Sequence, residues 1–240
     1  MVDLAEKKGK RLMINFSYSF NAHSFALKAQ VDTGILGDVY YGRTAWHRRR
    51  GMPKFGGWFS NKELAGGGPL IDLGVHRLDL ALWLMGYPDP DWAVGGAYNH
   101  LATRMAEELN KHCSVEDMAV GMIHFKNGAM LEIEASWASN RREGEFMLTR
   151  LYGTEGGLVQ HNMNETYDFT AELLTSEPGG LYTKQIKQLD VTVNSAMHHF
   201  VTAIVEDTPH IATGEEGLKV MKILDAIYAS AETGKPVMID

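Results

Sequence analysis

The chain is short of the features that mark several common classes of protein. One cysteine, Cys113, in 240 residues excludes an internal disulfide and suits a reducing compartment, so a cytoplasmic location is expected. There is no run of about eighteen apolar residues, which leaves no membrane-spanning helix to predict. The opening residues lack the basic-then-apolar layout of a secretory leader. Basic residues are outnumbered 23 to 30 by acidic ones, giving a formal charge of -7, so the basic face that binds nucleic acid is missing. No G-x-G-x-x-G turn follows a strand-like run, so no NAD(P) site is expected on this chain alone.

What is present is a core's worth of apolar residues, 45% of the chain, and one heavily punctuated stretch from Gly66 to Gly86. Gly66-Gly67-Gly68-Pro69 opens it and Gly86 closes it, the marks of one helix reached through a tight loop. Ile71, Val75, Leu78, Leu82 and Met85 recur at steps of four and three, which predicts an apolar face. Asp72, His76 and Asp79 fall at i, i+4 and i+7 and are expected to stack along a second, polar face. A carboxylate one turn from an imidazole can hold its tautomer and support its charged form, the requirement for a general acid/base pair. The competing reading is a solvated face carrying a capping Asp and an unrelated His.

The run GGGPLIDLGVHRLDLALWLMG resembles the motif of the C-terminal domain of the Gfo/Idh/MocA family of sugar and polyol oxidoreductases. In that family, the resemblance implies, the residues matching Asp72 and His76 lie against the substrate beside the nicotinamide, and the His exchanges a proton with a sugar hydroxyl. It further implies an upstream Rossmann domain and a Glu-Lys-Pro motif with a catalytic lysine. Neither is found here; Glu6-Lys7-Lys8 lies in a helix-like segment that stops at Gly9. Residues 1–16 accordingly read as the last helix and strand of a lost Rossmann domain, with Arg11 to Phe16 as the strand, and residues 1–240 as a single domain.

Along the rest of the chain, a helix is expected over Asn21 to Thr33 and a strand over Asp38 to Arg49, with Thr44, Trp46 and Arg48 on one face and Ala45, His47 and Arg49 on the other. Gly51 to Leu64 reads as a loop whose Trp58 and Lys54 suit a sugar's faces and oxygens. Trp92 to Tyr98 reads as a strand and residues 99–116 as a solvated connection. Lys126-Asn127-Gly128 predicts a hairpin turn between Met118 to Phe125 and Ala129 to Ser136. Further strands are expected over Phe146 to Tyr152, Leu158 to Asn162, Tyr167 to Leu174 and Gln185 to Val193, and helices over Asn194 to Glu206 and Glu215 to Thr233. The sum is an α+β fold, an open and mostly antiparallel sheet with helices on one face. The other face would leave an apolar patch, which predicts a homo-oligomer packed sheet to sheet.

Three functions follow from these readings. The first is a Rossmann-less lyase or hydratase acting on a keto-sugar or glycoside, with His76 as acid/base and Asp72 orienting it. A divalent metal held by His47, Asp72, His76 and Glu134 is one option for its electrophile. The second is the substrate-binding domain or subunit of an NAD(P)-dependent sugar oxidoreductase served by a separate Rossmann subunit. The third is a non-catalytic sugar-binding or oligomerisation module. In each, Tyr18, Trp46, His47, Arg48, Lys54, Trp58, Asp79 and His161 are the candidate carbohydrate contacts.

Overall fold

A computed structural model describes residues 1–187 and 193–240. Among the described residues seven α-helices run in chain order: α1 Val2–Lys7, α2 Ala22–Val31, α3 Lys62–Ala65, α4 Val75–Leu84, α5 His100–Glu108, α6 Ala196–Val205 and α7 Gly214–Thr233. A turn of π-helix, Leu70–Gly74, leads into α4. The nine strands of the described residues are β1 Val39–Arg48, β2 Pro90–Tyr98, β3 Met118–Phe125, β4 Met130–Ser136, β5 Glu145–Gly153, β6 Gly156–His161, β7 Glu172–Glu177, β8 Gly180–Gln185 and β9 Val237–Met238.

The strands form one open sheet in the order β8-β7-β6-β5-β1-β4-β3-β2-β9. Among the described residues only the β1–β4 pair is parallel, and α4 lies in its crossover. The fold is thus the open, mostly antiparallel sheet with helices that the sequence predicts. Among the described residues no helix is long and apolar enough to cross a membrane.

Alternation along β1 organises the molecule. Thr44 and Trp46 point to the helices: Thr44 Oγ1 donates to the carbonyl of Arg77 at 3.1 Å, and Trp46 packs near His76. Leu78 and Leu82 of α4, Val220, Ile223, Leu224 and Ile227 of α7, and Ile123, Leu131 and Ile133 of the sheet make the main buried cluster. Each of these removes about 1.5–3 kcal/mol worth of apolar surface from water, which sandwiches α4 between sheet and solvent-facing helices. Every residue of α4 is buried except half-buried His76, so the helix is enclosed on all sides and carries no solvated polar face.

Four expectations need correction. Arg11 to Phe16 is not a strand: Met13 makes one isolated bridge to Thr213, because no neighbouring strand is there to pair with it. Residues 99–116 are more than a solvated connection, since Ala102 and Ala106 of α5 pack into a buried cluster with Trp46 and Trp137. The strand expected at Tyr167 to Leu174 begins only at Glu172, and β8 occupies residues expected to be a connection. The strand expected over Gln185 to Val193 falls partly outside the described residues; Gln185 itself closes β8.

Candidate active site

The glycines before the central helix are there for contact as much as for flexibility. A Cβ on Gly67 would collide with the Tyr228 hydroxyl, and one on Gly68 with the backbone carbonyl of Glu116. This close approach lets the Glu116 carboxylate accept from the amides of Gly68 at 2.8 Å and Leu70 at 3.2 Å, with the Tyr228 hydroxyl donating to it at 2.8 Å. The amides that a helix start offers to an anion are therefore filled by an internal carboxylate. A dinucleotide's phosphates do not fit there. The described residues provide no other glycine-rich turn between a parallel strand and a helix, so no step below is assigned to a cofactor on this chain.

Asp72 lies in the π turn and His76 at the start of α4, both half-buried. The sequence reading allowed a hydrogen bond between them. The Asp72 carboxylate instead accepts from the Trp137 indole Nε1 at 2.9 Å, and His76 Nδ1 is buried without a partner among the described residues. The π turn accounts for the change, because it breaks the regular α spacing at the residue that was to stack under the imidazole. Burial pushes His76 below its ordinary value; Asp72 pulls the other way and Arg77 adds to the depression. A buried imidazole that is neutral and under-bonded is equipped to take a proton from a bound hydroxyl.

Aromatic rings wall the imidazole. Tyr18 lies 5.7 Å from it, Phe16 and Trp46 both 6.4 Å between ring centres. Tyr18 also meets Trp46 and Phe169 edge to face. Arg48 stacks on Trp46 with its guanidinium carbon 5.3 Å from the ring, and pairs with Glu145 at 3.2 Å. Phe16 carries the wall on to an apolar cavity of about 410 Å³ that is lined by Leu12, Ile14, Leu218 and Met221 as well. Trp58 is 58% exposed and lies against Phe59, which in turn meets Trp137, so the loop rings connect to the Asp72 end of the site.

Other candidates are placed elsewhere. His47 and Glu134 lie on the sheet face away from α4, where His47 Nε2 and Glu134 Oε2 are 2.9 Å apart and Arg43 also pairs with Glu134. His47 and Arg43 together hold Glu134 down at about 2. His161 pairs in register with Leu148 and so faces the same way, its Nδ1 3.0 Å from Thr170 Oγ1. Period-two alternation separates all three from His76 by the thickness of the sheet. Asp79 is sealed in the interior, accepting from Ser19 at 2.6 Å and from Tyr87, and burial raises it to about 7. Lys54 is exposed on the loop. No group of three or more His, Cys, Asp or Glu among the described residues is arranged to hold a metal ion, so the expected ligand set is not assembled.

Three residues that matter here escaped the sequence reading. Trp137 and Glu116 meet the central helix from distant segments, and nothing local announces that. Arg77 did leave a signal: it is a charge off the Asp72–His76–Asp79 face, with Leu73, Leu80, Ala81 and Leu84 at i−4, i+3, i+4 and i+7.

A glycine-entered helix carrying Asp72 and His76, laid on an open mixed sheet behind aromatic walls, defines an α/β domain of the kind that the central motif resembles. The chain belongs to the Gfo/Idh/MocA oxidoreductase family, whose C-terminal alpha/beta domain matches residues 28–239. It is 34% identical to the D-glucoside 3-dehydrogenase of Escherichia coli K12 over 99% of this chain and 67% of that protein. Among solved structures it resembles the aldose-aldose oxidoreductase of Caulobacter crescentus complexed with glycerol, at TM-score 0.80 and 24% identity over 99% of this chain and 67% of that one. It also resembles a levoglucosan dehydrogenase in complex with NADH and L-sorbose, at TM-score 0.81 and 20% identity over 99% and 68%. The chain spans about two thirds of the length of these proteins. These names overturn the lyase or hydratase expectation: the relatives are named as dehydrogenases and oxidoreductases.

Proposed function

We propose that this chain supplies the substrate-binding, proton-transferring part of an NAD(P)-dependent sugar or polyol oxidoreductase. The observation that carries the reading is the half-buried His76, with a free Nδ1, walled by Tyr18, Trp46 and Phe16 and joined through the central helix to Asp72. The ring walls suit the C–H faces of a pyranose. Asp72, held by Trp137, accepts from a substrate hydroxyl, and His76 takes the proton from the hydroxyl that becomes a carbonyl. Hydride acceptance is what a nicotinamide supplies, and it belongs to a dinucleotide-binding domain or subunit outside the described residues.

The same reading includes a second copy of the chain on the sheet face opposite α4. Val120, Met122 and Met130 offer apolar surface there, beside the paired charges of Arg43, Glu132 and Glu134.

Calorimetric titration of the chain with D-glucosides and polyols tests the proposal. Millimolar or tighter binding that is weakened at least tenfold by Asp72→Ala and His76→Ala is expected. Absence of binding to any sugar or polyol, by a chain shown to be folded, would overturn it.

A further inference from the structure

Among the described residues Arg77 is an enclosed cation with no anion beside it. Arg77 is wholly buried; its Nη2 donates to Thr149 Oγ1 at 2.6 Å and its Nη1 to Gln160 Oε1 at 3.3 Å. Its Nε has no partner among the described residues. The guanidinium carbon lies 5.6 Å from the Tyr18 ring and 5.7 Å from the Phe169 ring. Hydroxyl, amide and ring faces solvate a guanidinium, yet none of them cancels its charge. The neighbouring acids are committed elsewhere, Glu145 to Arg48 and Trp46, Asp72 to Trp137. Burying an uncompensated charge is costly, and a Leu or Met would fill the same space without that cost. Arg77 itself falls only to about 10, so it stays charged at neutral pH.

What the charge acts on is visible in the packing. Tyr18 has Arg77 at 5.6 Å and His76 at 5.7 Å, so the guanidinium and the imidazole, neighbours on α4, pack against the same ring. The other groups facing His76 are Asp72 on its own helix, Phe16 and Tyr18 from the segment before α2, and Trp46 from β1. Arg48, beyond Trp46, is neutralised by Glu145. Asp72 favours a charged imidazole, but its own charge is partly engaged by the Trp137 N–H.

We propose that Arg77 is a positioning residue for proton transfer: its unpaired charge, packed against the same Tyr18 ring as the imidazole, adds to burial in keeping His76 neutral and ready to accept a proton. The inference rests on the function proposed above only for what His76 accepts the proton from.

The test follows the imidazole directly. His76 is titrated by NMR in the whole chain, in the wild type and in the Arg77→Met, Arg77→Lys and Thr149→Asp variants. Removing the charge in Arg77→Met is expected to raise the His76 midpoint, while Arg77→Lys stays close to wild type. Thr149→Asp leaves Arg77 in place and sets a carboxylate against it, and it too is expected to raise the midpoint. A wild-type midpoint in Arg77→Met, or an equal rise in Arg77→Lys, overturns the proposal. Should Arg77→Met fail to fold, Thr149→Asp decides: an unmoved midpoint there overturns it as well. Sugar titrations on the same samples keep the two readings separate. A chain that binds no sugar yet shows these midpoints refutes the proposed function alone.

Discussion

The Trp137 indole donates to Asp72 Oδ2 across 2.9 Å, joining the end of β4 to the π turn that opens the central helix. Both partners are largely removed from water, so the bond cannot be exchanged for solvent without loss. Trp137→Phe keeps most of the ring volume and deletes the donor. It is expected to cost about 1–3 kcal/mol of stability, read from urea unfolding. Because Asp72 would then be free to rotate, affinity for a glucoside is expected to fall together with stability, whereas a variant at a remote core position would lower stability alone.

Gly68 gives a second check, on backbone packing. The amide of Gly68 reaches Glu116 only because no Cβ stands between the two segments. Gly68→Ala forces Glu116 away, uncaps the helix and leaves a buried carboxylate under-bonded, a loss of about 2–4 kcal/mol. Glu116→Gln retains one acceptor and the shape, and about half that loss is expected. Equal losses in both variants would show that packing, and not the cap, is what Gly68 protects.

How far the residues announce all this depends on the range of the interactions. The central helix was legible because glycine, proline and apolar spacing are local signals, and Tyr18, Trp46 and Arg48 do converge on its His76 side. The stacking of Asp72, His76 and Asp79 was not legible: a π turn shifts Asp72, and Ser19 and Tyr87 draw Asp79 into the interior. His47 does not belong with Trp46 and Arg48, since strand alternation already sets it on the opposite face, and the register that turns His161 the same way has no local signal. Arg11 to Phe16 failed as a strand because apolar content does not provide a pairing partner.

Asp79 makes stability depend on pH in an unusual direction. Burial lifts it from 3.8 to about 7, so between those values the folded chain binds more protons than the unfolded one. Stability is therefore greatest below about pH 4 as far as this group is concerned, and this contribution is lost as pH rises through 7. In Asp79→Asn, the midpoint of urea unfolding is expected to vary less between pH 4 and 7 than in the wild type. Parallel profiles would mean that the hydrogen bonds from Ser19 and Tyr87 hold the carboxylate charged throughout.

The face opposite α4 carries the last prediction. Its charges already have partners within the chain, Arg43 with Glu132 and Glu134, and His47 with Glu134, so they can enter an interface with less charge to desolvate unpaired. Between them and the sheet edge lie Val120 and Met122, part-buried only by their neighbours on the same face. A two-fold axis through such a face brings like patches together, and a lysine there meets its own copy. Val120→Lys and Met122→Lys are thus expected to convert a dimer or larger assembly to monomer in sedimentation velocity at micromolar concentration, with little effect on the folding of the single chain. A wild type that sediments as a monomer under those conditions would show that water, and not a second copy, covers this face.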